Sequence, residues 1–136
     1  MSQENVEVVR EWVENTVLRG DIGDLGDVSS LDPEIVYEDE ILPDHVGEAY
    51  RGHDGFRKAW ARAIEPWEDI EGRLEWARDA GNEVVSCHWS RMHGKGSEVD
   101  AEIRYAYLWR FRGGKVVYCK SFANPAEALG AAGLSE

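Results

Sequence analysis

Residues 34–60, EIVYEDEILPDHVGEAYRGHDGFRKAW, decide how the rest of the chain is read. The stretch opens as a strand over 34–40, with Ile35, Tyr37 and Asp39 on one face and Val36, Glu38 and Glu40 on the other. It ends in a carboxylate cluster, crosses a loop, and enters a helix at Gly52-His53-Asp54-Gly55. Over 53–64, Phe56, Trp60 and Ile64 fall four apart on one side. Pro66 stops that helix.

Upstream, Val6, Val9, Val13 and Val17 recur at helical spacing, with Trp12 and Thr16 widening the same face, and predict a helix over 4–19. Gly20 supplies a left-handed cap. GDIGDLGDV then repeats a Gly-Asp pair every three residues. Asp21, Asp24 and Asp27 fail the calcium-loop pattern, because no bidentate glutamate follows at the right place. They read instead as caps of a short second helix that turns Ile22, Leu25 and Val28 inward.

Downstream, four strands follow over 69–78, 83–93, 101–112 and 115–122. Ala80-Gly81-Asn82, Gly94-Lys95-Gly96-Ser97 and Gly113-Gly114 provide the turns between them. In the first, Ile70, Leu74 and Trp76 alternate with charged residues. In the third, Ile103, Tyr105, Tyr107, Trp109 and Phe111 share one face, and Arg104, Arg110 and Arg112 the other. Asn124-Pro125-Ala126-Glu127 reads as an N-cap, a first-turn proline and a capping-box glutamate for a short terminal helix ending near Gly130 or Gly133. Helices segregated ahead of an antiparallel sheet predict an α+β fold. No internal linker divides the chain, and one domain over 1–136 is expected.

Net charge is -12 over 136 residues, so phosphate backbones are repelled and neither nucleic acid nor an anionic membrane is expected as a partner. The polar, acidic start MSQENVEVVREW resembles no signal or transit peptide, which makes the cytoplasm the expected location. Cys87 and Cys119 fall in different strands and form no zinc-like spacing; free, buried thiols are expected.

The element order and the segments VEVVREWVENTVLRGDIGDL, LDPEIVYEDE, YRGHDGFRKAW, WRFRGGKVV and NPAEALGAAG resemble the SnoaL-like branch of the nuclear transport factor two-like superfamily. That group includes ketosteroid isomerases, polyketide cyclases and limonene epoxide hydrolase. The resemblance covers nearly the whole chain. It implies a cone: a curved antiparallel sheet wrapped over three helices from the N-terminal half, with a short C-terminal helix. A pocket lies at the wide end, and dimers are frequent.

The resemblance also implies roles. Asp39 falls where the isomerases keep a catalytic aspartate, and Tyr107 where they keep an oxyanion-hole acid; a phenol can donate the same kind of bond. The plainer readings are a carboxylate at a solvated strand end and a core tyrosine. The isomerases' helix-one tyrosine falls at Val13, beside Trp12, so the usual oxyanion pair is absent. The last aspartate of the epoxide hydrolase constellation falls near Ser121, which disfavours epoxide hydrolysis.

Among the four histidines, His53 reads as a helix-start residue and His93 as exposed. His45, in the loop after the strand, and His88, in mid-strand, are candidates for an auxiliary acid or base; sharing a face with Ser86 and Ser90 would turn His88 inward. Asp39, Asp44, His45 and Glu48 match no metal-ligand spacing. Candidate pocket walls are Trp12, Val13, Trp60 and Tyr37, with Tyr105 and Trp109 by parity with Tyr107, and Cys119 and Ser121 by alignment. Three functions stay open. One is a cofactor-free proton-transfer enzyme for an apolar carbonyl compound; one is a binder of an apolar or aromatic ligand; one is a homodimeric interaction module with a filled cone.

Overall fold

The computed structural model describes residues 2–14, 29–41 and 49–134. The second helix expected after Gly20 lies outside them, as do residues 15–19 of the expected first helix and the segment carrying Asp44, His45 and Glu48. Helix α1 (Ser2–Trp12) is followed by strands β1 (Leu31–Glu38) and β2 (Ala49–Arg51), then helix α2 (Gly52–Ile64). Strands β3 (Trp67–Asp79), β4 (Glu83–Gly94), β5 (Asp100–Arg112) and β6 (Lys115–Phe122) precede helix α3 (Pro125–Ala131). The α+β class and the cone architecture hold, and each expected strand is present with ends displaced by a residue or a few.

The sheet order is β2-β1-β6-β5-β4-β3. One expectation is corrected here: β1 pairs β6 in parallel, placing Tyr37 beside Cys119, so the sheet is mixed. That pairing joins elements from opposite ends of the chain, and no local pattern encodes its direction. The three-residue β2 is too short to show a period, so the sequence pattern does not mark it.

Two layers cover the sheet. On the inner face, α1 and α2 bring Val6, Val9, Trp12, Val13, Phe56, Ala59 and Trp60 onto Ile35, Tyr37, Tyr105, Tyr107 and Trp109. On the outer face, α3 sets Ala128 and Leu129 against Val85, Ala106, Leu108 and Phe122. The Asn124 side chain caps α3 by accepting from the Ala126 N–H at 2.9 Å, as the sequence pattern requires.

A bulge corrects a second expectation. The β3–β4 register shifts between Leu74 and Trp76, and the extra residue reverses parity. Leu74 and Ala77 therefore pack inward, while Trp76 joins the outer cluster.

The Gly52-His53 junction aims α2. Gly52 has φ +73°, and a Cβ there would stand 3.3 Å from the Pro33 carbonyl, so only glycine lets the helix start this close to β1. His53 Nε2–H then donates to the Leu31 carbonyl at 3.0 Å, tying the helix start to the strand. Both contacts fix how Phe56 and Trp60 enter the cone.

Candidate functional site

Asp39 follows the last residue of β1 and is 3% exposed, unlike a carboxylate at a solvated strand end. Its Oδ1 accepts from the Ile41 N–H at 2.7 Å and from the Ser121 hydroxyl at 3.2 Å. Ser121 is oriented in turn by accepting from the Glu40 N–H at 3.0 Å. The parallel β1–β6 pairing makes this possible, since it sets the end of β1 against Ser121 on β6.

Two phenols share the negative field of Asp39. Burial pushes the Tyr37 hydroxyl well above its ordinary pKa, with the Cys119 thiol and the Asp39 charge adding to the rise. Burial does the same for Tyr107, with smaller contributions from Tyr37, Tyr105, Cys119 and Asp39. Both remain protonated at any ordinary pH, and a protonated phenol is a hydrogen-bond donor.

Around them the walls are aromatic. Trp60 packs on Tyr107 with ring centroids 5.3 Å apart and stacks on Tyr37 at 6.1 Å. Trp12 meets Phe56 at 5.5 Å and Trp109 at 5.6 Å. His88 stacks on Tyr105 at 5.3 Å and meets Tyr107 edge-on at 5.0 Å.

Strand register fixes the face of His88. Ser86 lies opposite Tyr107 and His88 opposite Tyr105, so Ser86, His88 and Ser90 all turn inward and are buried. Ser90 Oγ and the Tyr105 hydroxyl are 2.8 Å apart. Ser86 Oγ lies 2.7 Å from His88 Nε2 and accepts from Trp109 Nε1–H at 2.8 Å. Burial pushes the His88 imidazole down to about 3, with the Glu75 charge acting in the opposite direction. It is therefore neutral at physiological pH and is suited to holding a hydrogen bond.

Among the described residues, three buried polar side-chain atoms have no partner: Trp12 Nε1, Trp60 Nε1 and His88 Nδ1. A buried donor left unmatched costs about 1–3 kcal/mol, and native interiors rarely tolerate several close together.

The structure thus brings Asp39, Tyr107, His88, Trp12, Val13, Tyr37, Trp60, Tyr105, Trp109, Cys119 and Ser121 into one interior. Of these, Val13 and Cys119 are fully buried wall residues. His45 lies outside the described residues. Sequence reasoning did not find the link from Trp109 through Ser86 to His88. The signal was present in the Ser86-x-His88-x-Ser90 alternation, but it becomes decisive only once the pairing with β5 is known.

A separate open groove of about 520 Å³ is lined by Asp69, Glu71, Arg91, Met92, His93 and Asp100. It shares no residue with the interior set. Arg91 pairs with Glu71 and His93 with Asp100, each at 2.8 Å, so its charged groups are largely matched. No group of His, Cys, Asp or Glu suited to a metal ion occurs among the described residues, and no described helix is long and apolar enough to cross a membrane.

Comparison with known proteins places this geometry in context. The profile of the SnoaL-like domain matches residues 9–119. A search of curated protein sequences returns no match. Among solved structures, the chain is similar to a nuclear transport factor two-like protein from Burkholderia thailandensis. The TM-score is 0.73 and the identity 21%, covering 94% of this chain and 95% of that one. A protein of ketosteroid isomerase-like fold from Catenulispora acidiphila, solved with trimethylamine, gives TM-score 0.63 and 20% identity, covering 93% and 92%. A candidate SnoaL-like polyketide cyclase from Jannaschia gives TM-score 0.70 and 18% identity, covering 89% and 85%. At such identities the likeness concerns the fold.

Proposed function

Because the chain belongs to the SnoaL-like domain family, we propose that its cone interior takes up a small, neutral, mostly apolar carbonyl compound and moves a proton on it without a cofactor, as an isomerase or cyclase does. The observation that carries this reading is the burial of Asp39 within electrostatic reach of Tyr37 and Tyr107, two phenols that burial keeps protonated, in an interior of aromatic rings.

In this reading Asp39 takes a proton from the carbon next to the carbonyl. The electron pair moves onto the carbonyl oxygen, where the Tyr107 hydroxyl stabilises the developing charge. Returning the proton to another carbon completes an isomerisation; attack of the same carbon on a second carbonyl closes a ring. Tyr37, Trp60 and Trp109 keep water away, which strengthens each of these interactions. His88 serves as a neutral hydrogen-bonding group, and His45 is the further candidate for an auxiliary acid.

The test is deuterium uptake from D2O at the α-carbon of indanone, followed by NMR. The expected result is uptake above the buffer rate that falls roughly a hundredfold or more in Asp39→Asn. Uptake no faster than in buffer, or unaffected by the substitution, overturns the catalytic reading.

A second reading, ligand binding without turnover, draws support from the fully buried Val13, which removes one oxyanion donor of the isomerases. It predicts tight binding of indanone with no uptake in the wild-type protein. A homodimer is the assembly that family likeness favours, and sedimentation velocity tests it.

A further inference from the structure

The inner face carries a donor surplus that the proton-transfer reading does not use. Trp109 Nε1–H occupies one lone pair of Ser86 Oγ. His88 Nε2, 2.7 Å from Ser86 Oγ, is placed to accept the Ser86 proton. A neutral imidazole that accepts at Nε2 carries its own proton on Nδ1. In that tautomer the atom without a partner on His88 is an N–H, as are the unpartnered Trp12 Nε1 and Trp60 Nε1. All three unmatched groups are donors.

The three also belong to one cluster. Trp60 and His88 both pack on the Tyr107 ring, at 5.3 and 5.0 Å. Trp12 lies 6.5 Å from Trp60 and 5.6 Å from Trp109, which is itself 5.7 Å from Tyr107. Each residue is more than nine-tenths buried, so bulk solvent does not match these donors. Asp39 sets a limit on the charge of what does: an anionic ligand would meet a buried carboxylate.

We propose that the interior recognises a neutral ligand bearing more than one acceptor oxygen. Trp12, Trp60 and His88 are its donors, and the Trp109–Ser86 pair is the positioning device that keeps the His88 proton on Nδ1. This rests on the pocket reading above and narrows it from any apolar carbonyl compound to one rich in acceptors and poor in donors.

Three flat bicyclic probes graded in acceptor number test it: indane with none, indanone with one carbonyl and N-methylphthalimide with two. Binding is measured by calorimetry on the wild-type protein and on Trp12→Phe, Trp60→Phe and His88→Phe, each first checked by thermal melt. Affinity is expected to rise about tenfold per carbonyl in the wild type and to rise less in the variants. On the wild-type protein itself, the Trp12 and Trp60 indole N–H resonances should shift downfield with N-methylphthalimide and not with indane. Long-range nitrogen–proton spectra should show the Nδ1–H tautomer of His88, and Ser86→Ala should redistribute it.

If all three probes bind equally, the pocket stands and the donor assignment falls. If none binds at millimolar concentration, the pocket reading fails and this inference goes with it. An Nε2–H tautomer in the wild type overturns the positioning role of Ser86.

Discussion

On the outer face of the sheet, Trp89 gives its indole N–H to Glu102 at 2.6 Å and lies under the Arg73 guanidinium at 4.3 Å. On the inner face, Trp12 and Trp60 keep theirs unmatched among the described residues. The charged groups of the two faces are held differently. Outside, Arg104 pairs with Glu75, Arg110 with Glu83 and Lys120 with Glu40. Inside, the Asp39 carboxylate is buried and accepts from the Ile41 N–H and the Ser121 hydroxyl. A surface whose polar atoms are matched within the chain needs nothing further to be stable. On the proposed reading, an interior whose donors are unmatched is organised around something that brings acceptors. On that reading, the two faces of one sheet divide stability from function.

The largest expected effect separates the faces most sharply. Asp39→Asn should lower α-proton exchange on indanone roughly a hundredfold or more while affinity stays within a few-fold, measured by NMR and calorimetry. The outer counterpart is Leu129→Ala, which empties the contact of α3 with Leu108 and Phe122. It should cost about 2–5 kcal/mol in urea denaturation and leave indanone affinity unchanged. A loss of affinity in Leu129→Ala would break the division between the faces.

Acid titration sharpens it. His88 sits near 3 when folded, against an ordinary value of about 6.5. Between those values the unfolded chain binds more protons than the folded one, so the stability is whole above about pH 6.5 and is lost as pH falls through the folded value. From about pH 7 to about pH 4.5 the wild type should lose on the order of 2 kcal/mol more than His88→Phe does. Equal losses would mean that the imidazole is not held neutral.

Smaller effects belong to the exterior. Asn124→Ala removes the α3 cap and should lower stability by about 1 kcal/mol. Arg91→Ala, which breaks an exposed pair with Glu71, should change it by less than about 1 kcal/mol.

Much of the scaffold was legible because its signals are local. The two-residue period of Tyr105, Tyr107, Trp109 and Phe111 marks β5 without help, and Gly113-Gly114, with φ of +59° and +78°, supplies the tight turn. What escaped was set by partners far along the chain. The run Glu38-Asp39-Glu40 looks like a solvated strand end, and Asp39 is buried because Ser121, 82 positions later, closes over it. The face of Trp76 depends on a bulge visible only in its pairing with β4. His88 reads as ambiguous until the β5 register turns it inward. Trp12 and Trp60 read as candidate walls and His88 as a candidate acid or base, but their lack of acceptors is a property of the packed interior.

The most direct test of the account is a crystal structure of the protein grown with indanone. The account predicts the ligand inside the cone, with its carbonyl oxygen within about 3 Å of the Tyr107 hydroxyl and its α-carbon facing the Asp39 carboxylate. Indanone seated only in the groove by His93, with none inside the cone, would contradict it.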